Sequence, residues 1–231
     1  MLFTRQRVFE PNFIYVFIRR GFRILFKVLG SWNIKGHENI PQAGPVIIIS
    51  NHASYMDPPL MGSAVQRPVA YMAKHDLFTG KKWLAWVCRK LGAYPVKQGQ
   101  ADREALQETF HKLASGRMIG IFPEGHRSPD NHLQEFQAGL SLIALRSRAT
   151  IIPCGFAGTY EMLPAHAKGL KKSHIEVHFG PALQIEDVYQ MEDKKAASAM
   201  LLERAEAAVL DLLIQAKSAR DTWYLANPGE R

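Results

Sequence analysis

The stretch Pro45-Val-Ile-Ile-Ile-Ser-Asn-His-Ala-Ser-Tyr-Met-Asp-Pro-Pro59 combines a strand, a turn and the start of a helix. The β-branched apolar run at 45–50 is typical of a buried parallel strand. Asp57, followed by two prolines, is typical of a helix N-cap with proline in the first turn. His52 is therefore expected in the turn after a strand, at the sheet edge where ligands of open α/β folds usually bind.

The rest of the chain alternates helical and strand patterns in the same way. We predict an amphipathic helix at 13–29, a helix from 58, further helices near 77–91, 101–115, 136–147 and 194–217, and strands near 68–73, 93–97, 117–122, 150–156 and 174–180. This order indicates an α/β fold with a mixed, largely parallel sheet flanked by helices. The simplest division is a membrane-associating segment at 1–33 and a catalytic domain at 34–231.

His52 and Asp57 are spaced to interact through a turn. A separation of five residues does not place two side chains on the same face of a helix, but a turn can fold Asp57 back onto the imidazole. The carboxylate would then fix the tautomer, leaving Nε2 to take a proton from a hydroxyl, a contribution of about 10² to 10⁴ in rate. Alternatively, Asp57 caps its helix and His52 is an ordinary turn residue. Without a nucleophile elbow, and with Cys88 and Cys154 in apolar surroundings, direct transfer to a substrate hydroxyl is favoured.

A second loop, Phe122-Pro-Glu-Gly-His-Arg-Ser128, also follows a strand-like run. Pro123 and Gly125 form a turn whose backbone amides can point outward. Arg127 could bind a phosphate with two parallel hydrogen bonds, and Glu124 could accept a hydrogen bond from a glycerol hydroxyl. An ordinary surface ion pair between Glu124 and Arg127 is the alternative.

Four ordered blocks carry a resemblance to a known family. Asn51-His-x4-Asp57, Leu91-Gly-Ala-Tyr-Pro-Val-Lys-Gln-Gly99, the loop at 122–128 and Ile151-Ile-Pro-Cys154 resemble the blocks of the glycerolipid acyltransferases, most nearly the 1-acyl-sn-glycerol-3-phosphate acyltransferases. The similarity spans roughly residues 35–185, and the ordered set is far more specific than any single block.

The resemblance implies that His52 is the general base and Asp57 orients it. It also implies that Glu124, Gly125 and Arg127 form the acceptor and phosphate site, and that Lys74 lies near the reacting thioester, where it could stabilise an oxyanion. A surface lysine is the alternative for Lys74. The acyl donor would be a thioester on coenzyme A or acyl carrier protein, the acceptor a lysophospholipid, and neither a cofactor nor a metal is expected.

Two positions depart from the family pattern. The second block often carries an arginine where this chain has Lys97-Gln98, which leaves Lys97, helped by Arg103, as a phosphate ligand without the guanidinium fork. His126 replaces the usual threonine of the third block, where it either tunes the pocket or is a harmless loop residue.

Composition agrees with an enzyme that works at a membrane surface. The chain has 231 residues, 47% of them hydrophobic, a net charge of +8 and two cysteines. With no disulfide framework and no evident signal peptide, we expect the cytoplasmic face of the inner membrane. In a helix at 13–29, a cationic arc is surrounded by apolar residues, which favours a membrane surface over nucleic acid. The cations of the arc are Arg19, Arg20, Arg23 and Lys27. Packing of this helix on the domain's own core is the alternative.

Other readings remain open. His174, Glu176 and His178 alternate along a strand and could hold a metal, although a solvated strand face is commoner. The same acyl transfer could serve another lysolipid or alcohol. From other classes, a lipid hydrolase would release fatty acid without an acceptor, and a basic binding module would show no thioester turnover.

Overall fold

The computed structural model describes residues 12–97, 102–164, 167 and 169–230. The first part of the N-terminal segment and Gln98 of the second block lie outside these residues. The described helices are α1 (Phe13–Val28), α2 (Asp57–Ala64), α3 (Asp76–Thr79), α4 (Lys82–Lys90), α5 (Arg103–Ala114), α6 (Gly139–Ser147), α7 (Thr159–Met162), α8 (Glu186–Gln190) and α9 (Lys194–Ala226). The strands are β1 (Trp32–Lys35), β2 (Val46–Ser50), β3 (Val69–Lys74), β4 (Ala93–Val96), β5 (Met118–Ile121), β6 (Thr150–Ala157) and β7 (Ile175–Phe179).

The strands form one seven-stranded sheet in the order β1-β7-β6-β2-β5-β3-β4. β2 lies at its centre and pairs in parallel with β5 on one side and β6 on the other. β6 and β7 pair antiparallel, so the sheet is mixed, and the predicted fold class is confirmed. The Val-Ile-Ile-Ile run of β2 is completely buried, as a strand covered on both faces requires.

Two hydrophobic clusters cover the two faces of the sheet. One face packs against α1 and α2, with Phe26, Leu60 and Met61 completely buried. The other packs against α6 and α9 through residues such as Leu140 and Leu201. α1 is therefore part of the main core as well as a surface helix, so the alternative of core packing holds for one side of it.

Several local features differ from the prediction, including α9, which continues beyond the predicted end at 217 to Ala226. The helix expected at 77–91 is divided into α3 and α4, because Gly80 leaves helical geometry (φ −82°, ψ −122°) and Lys81 is extended. Asp57 is the first residue of α2 and not its N-cap, which is Met56. The strand β1 was not predicted, since four residues that are half exposed carry little pattern.

Candidate active site

His52 and Asp57 form a hydrogen-bonded pair at the carboxyl end of β2. The imidazole Nδ1 donates to Asp57 Oδ2 over 2.8 Å. The same oxygen accepts from the backbone amides of Ala53 and Ser54, at 2.8 and 2.7 Å. Asp57 is completely buried, whereas the His52 side chain is 17% exposed. The carboxylate therefore fixes the turn and the imidazole together.

The opposite side of the His52 ring is open. Its Nε2 makes no hydrogen bond to any residue in the described part of the chain, and the ring stacks on Phe122 with centroids 4.2 Å apart. Because Nδ1 donates to a carboxylate, the neutral imidazole carries its lone pair on Nε2. The geometry therefore suits proton abstraction from a hydroxyl at the sheet edge.

Glu124 joins the two reactive loops. Its Oε1 accepts from the amide of His52 at 2.6 Å and its Oε2 from the amide of Gln134 at 3.0 Å. The amide of Ser128 donates to the carbonyl of His52 at 2.7 Å. β2 and β5 are parallel neighbours with Ile49 beside Ile121, which brings both loops to the same edge. The loop at 122–128 therefore holds the backbone of His52 through both its N–H and its C=O.

The carboxyl group of Glu124 is 1% exposed. Burial raises its pKa to about 7, although the hydrogen bonds from the His52 and Gln134 amides act to lower it. With both oxygens occupied by backbone amides, the described contacts give Glu124 a positioning role. Its predicted contact with an acceptor hydroxyl stays a prediction.

Arg127 lies against Tyr55, a residue of the His52 turn. Its guanidinium is 3.5 Å from the centre of the Tyr55 ring, and its Nη1 is buried without a hydrogen-bond partner among the described residues. A guanidinium that is fixed in position and has an N–H group without a partner can bind an oxyanion. Gly125 has φ +76°, the left-handed region in which glycine is favoured. His126 is exposed, and its imidazole Nδ1 lies 3.5 Å from the Arg127 carbonyl oxygen.

The other predicted cations lie at the same edge but farther along the sheet. Lys74 ends β3, is exposed and pairs with Asp76 at 2.8 Å. Lys97 follows β4, three strand spacings or roughly 14 Å from β2. It lines a cavity of about 600 Å³ that includes Asp102 but not His52. Arg103 is exposed in the first turn of α5. The structure groups His52, Asp57, Glu124, Gly125 and Arg127, and leaves Lys74, Lys97 and Arg103 apart from them.

Sequence reasoning missed two contributors to this site. Tyr55 stacks on Arg127, and Asn51 exchanges hydrogen bonds with the backbone of Phe156, its Nδ2 donating at 3.0 Å and its Oδ1 accepting at 2.8 Å. Both residues belong to the first block, so the signal was present. Their roles depend on β6 and on the second loop, which the sequence does not place.

The second group of histidines, in and just before β7, does not form the solvated face that was expected. His174, Glu176 and His178 are 3%, 3% and 5% exposed because the long helix α9 covers them. Each imidazole Nε2 donates to one oxygen of Glu176 at 3.0 Å, and Trp223 stacks on His174 with centroids 4.2 Å apart. Among the described residues, no group of three or more His, Cys, Asp or Glu is arranged to hold a metal ion.

Comparison with known proteins finds relatives of named activity. The chain is 25% identical over 189 residues to the 1-acyl-sn-glycerol-3-phosphate acyltransferase of Bacillus subtilis, covering 81% of this chain and 91% of that protein. It is 27% identical to a chloroplastic enzyme of the same name from Arabidopsis thaliana, over 60% of this chain but only 39% of that one. The crystal structure of the 1-acyl-sn-glycerophosphate (LPA) acyltransferase PlsC from Thermotoga maritima superposes with a TM-score of 0.70 at 25% identity, covering 90% of this chain and 83% of that one.

The family model named Acyltransferase matches residues 31–157. That range runs from the start of β1 to the end of β6 and contains both reactive loops. Because it covers more than half of the chain, the chain belongs to the acyltransferase family.

Proposed function

We propose that the protein transfers a fatty acyl group from an acyl thioester to the free hydroxyl of 1-acyl-sn-glycerol-3-phosphate, giving phosphatidic acid. The observation that carries the proposal is the state of His52. Its Nδ1 is fixed by a buried carboxylate, and its Nε2 is open at the edge where Arg127 also lies. The named activities of the Bacillus and Thermotoga relatives support this acceptor.

The reaction follows from that geometry as direct transfer. His52 Nε2 takes the hydroxyl proton while the acceptor oxygen attacks the thioester carbonyl, and Asp57 stabilises the resulting imidazolium. Collapse of the tetrahedral intermediate breaks the carbon–sulfur bond, and the imidazolium returns the proton to the leaving thiolate. Burial raises the pKa of the Cys154 thiol and of the Cys88 thiol, so neither cysteine is an activated nucleophile.

The acceptor's phosphate would bind at Arg127. The guanidinium is pre-oriented by Tyr55, and its buried Nη1 gains a partner when an oxyanion arrives. Lys74 would stabilise the developing oxyanion, while Lys97 and Arg103 would add positive charge along the edge rather than direct contacts.

The donor would be acyl-CoA or an acyl carrier protein, with no cofactor or metal. Both carriers are acidic, and a net charge of +8 favours encounter with either. The same charge favours an anionic bilayer. Within the part of the chain that the structure describes, none of the helices could span a bilayer.

Membrane association would use α1 at the cytoplasmic face of the inner membrane. Its Tyr15 and Phe26 are buried, while a second apolar row is exposed. The exposed row is Phe13, Phe17, Ile24 and Val28, with exposed fractions between 63% and 81%. Arg20, Arg23 and Lys27 are exposed beside it. Such a helix lies in the interface, with its apolar row below the headgroups.

One turnover assay tests the function. Purified full-length protein in detergent micelles is given palmitoyl-CoA or palmitoyl-acyl carrier protein, each crossed with lysophosphatidic acid, lysophosphatidylcholine, lysophosphatidylethanolamine or glycerol 3-phosphate. We expect phosphatidic acid only with lysophosphatidic acid. Thioester consumption without an acceptor would indicate a hydrolase, and turnover confined to another acceptor would overturn the phosphate assignment.

A further inference from the structure

Helix α4 presents two large aromatic side chains to solvent. Trp83 is 63% exposed and Trp86 is 49% exposed, and Leu77 of the preceding α3 is 38% exposed. On the opposite side of α4, Ala85 is buried against the domain. Positions 83, 86 and 90 are spaced to share one helix face. The aromatic pair is therefore a surface feature and takes no part in the core.

The charged residues of α4 itself are all positive. The sequence Lys82-Trp-Leu-Ala-Trp-Val-Cys-Arg-Lys90 of α4 contains no Asp or Glu, and Lys81 precedes it. Lys90 lies over the Trp86 ring at 5.9 Å, and Arg89 lies over the Phe78 ring at 5.5 Å. Tryptophan flanked by lysine and arginine is the composition enriched at the boundary between lipid and water.

The end of α4 contacts the start of α1. Asn12 at the start of α1 donates from Nδ2 to the carbonyl of Lys90 at the end of α4, over 3.3 Å. Two connections between parallel strands move in the same direction across the sheet. They are the connection from β2 to β3 through α2 and the connection from β3 to β4 through α4. Right-handed connections therefore place α4 on the face that carries α1 and α2.

We propose that α4 is a second membrane contact, in which Trp83 and Trp86 enter the headgroup level of an anionic bilayer beside α1. The proposal rests on the membrane association given above for α1. It adds a second helix whose aromatic and cationic side chains face the same bilayer. Because α4 begins just after the carboxyl end of β3, the bilayer would lie along the edge that carries His52.

Lipid fits this surface better than a protein partner does. The cations around the aromatic pair are unopposed by carboxylates of α4, so their attraction to an anionic headgroup layer is additive. Two adjoining helices with exposed apolar rows also match a flat surface rather than a pocket. Association with a second copy of the chain is the outcome that the experiment must separate from lipid binding.

The first experiment measures vesicle binding by the full-length chain. Trp83→Ala/Trp86→Ala is compared with the matched control Leu210→Ala/Ile214→Ala, which removes exposed apolar side chains from α9, on the other face of the sheet. We expect the tryptophan variant to bind phosphatidylglycerol-containing vesicles about tenfold more weakly, and the α9 control to change less than about twofold. Equal binding by both variants overturns the proposal.

The second measurement locates the aromatic pair. Bromine atoms on the lipid chains quench nearby tryptophan, so wild-type fluorescence should fall on anionic vesicles. Trp83→Phe/Trp86→Phe keeps apolar rings but leaves Trp32 and Trp223 as the only tryptophans, whose emission is excited selectively. We expect this variant to bind yet lose most of the quenching. Undiminished quenching in it would place α4 away from the bilayer and overturn the proposal.

Three further measurements separate the role of α4 from the membrane association of α1, from the acyl transfer and from self-association. Phe17→Ala/Ile24→Ala tests α1 alone, so a loss of binding there with none in the α4 variant overturns only the role of α4. Turnover in detergent micelles should be unchanged in the α4 variant, and absence of turnover in the wild type would instead overturn the acyl transfer. Sedimentation in the absence of lipid tests self-association, and a dimer dissolved by Trp83→Ala/Trp86→Ala would overturn the assignment to lipid.

Discussion

Two histidine–carboxylate groups of this molecule use the same side chains for different ends. His52 and Asp57 lie in a turn at the sheet edge, where Asp57 is buried and the imidazole is 17% exposed. His174 lies just before β7 and Glu176 and His178 lie within it, and α9 covers all three. In the first group one ring nitrogen has no partner among the described residues, whereas in the second Ser31 and Glu176 occupy both nitrogens of His174. A histidine is available for chemistry only where its surroundings leave a nitrogen unused.

The pKa values of the carboxyl groups near the two sites are shifted in opposite directions. Burial raises the pKa of Glu124 to about 7, since only backbone amides oppose it. Burial also acts to raise the pKa of Glu176, but the hydrogen bonds from His178 and His174 outweigh it and leave the pKa below its usual value. The active edge therefore keeps a carboxyl group without a cationic side-chain partner, and the β7 cluster keeps a paired one.

The sharpest test of the comparison is a pair of identical substitutions. His52→Ala should lower kcat by about 10³-fold or more, because no other group among the described residues is placed to take the hydroxyl proton. The free energy of unfolding of this variant should be nearly unchanged. His174→Ala should leave kcat within a few-fold while lowering the free energy of unfolding by about 2–3 kcal/mol, through the unpaired Glu176 oxygen and a lost stack on Trp223. Urea unfolding and steady-state turnover on both variants check this, and equal kcat losses would break the comparison.

Asp57→Asn should lower kcat by about 10²-fold to 10³-fold. The amide keeps the volume of the side chain but loses the charge that stabilises the imidazolium and fixes the Nδ1–H tautomer. Turnover across a pH range is the measurement, with circular dichroism as the control for α2. A loss of helical structure that matches the loss of turnover would assign Asp57 to folding alone.

Stability should depend on pH with opposite signs at the two carboxyl groups. Glu124 binds its proton more tightly in the folded state, so the stability it contributes is complete below about pH 4.5 and is lost as the pH rises to about 7, a fall of about 3 kcal/mol. Glu176 has a lowered pKa, so its contribution is present at neutral pH and is lost as the pH falls below about 4.5.

Urea unfolding between about pH 2.5 and pH 8 separates the two carboxyl groups. Glu124→Gln should flatten the fall in stability toward neutral pH, and Glu176→Gln should flatten the loss in acid. Curves that are parallel to wild type for both variants would show that other groups set the pH dependence.

The smallest expected effect is at the phosphate site. Arg127→Lys should raise KM for lysophosphatidic acid about tenfold with little change in kcat, since lysine keeps the charge but loses the fork and the stack on Tyr55. Arg103→Lys is the matched control, and it should change KM less than about twofold because Arg103 is exposed on α5. An equal rise in KM in both variants would show that the phosphate is attracted by the overall positive charge of this edge and not by a specific contact with Arg127.

The sequence predicted the units of the fold better than their arrangement. The strands at 45–50, 117–122 and 150–156 were found within two residues, because three consecutive isoleucines in β2 and similar apolar runs give a clear signal. The order of the strands was not predictable, since it depends on the direction in which each connection crosses the sheet, toward one edge or toward the other. That order decides that the loops after β2 and β5 meet, while Lys97 after β4 lies farther along the edge.

The site was predicted by residue type but not by contact. The turn of Asp57 onto His52 followed from the spacing, and the structure has it at 2.8 Å. The hydrogen bond from the His52 amide to Glu124 joins two residues 72 positions apart, which no local pattern contains. For the same reason the cover of α9 over His174 was missed, since an alternating strand has the same sequence whether water or a helix lies on its face.

The hydrogen bonds that hold His52 through Glu124 and Ser128 make the two loops a single unit for protein engineering. Grafting only the turn that carries His52 and Asp57 onto another α/β sheet would leave the His52 backbone without the groups that fix its direction. The smallest piece that can be transplanted is therefore the neighbouring pair of parallel strands β2 and β5 with both loops, in the register that places Ile49 beside Ile121. Evolution faces the same constraint, because a shift of one residue between these strands would separate the base from its support.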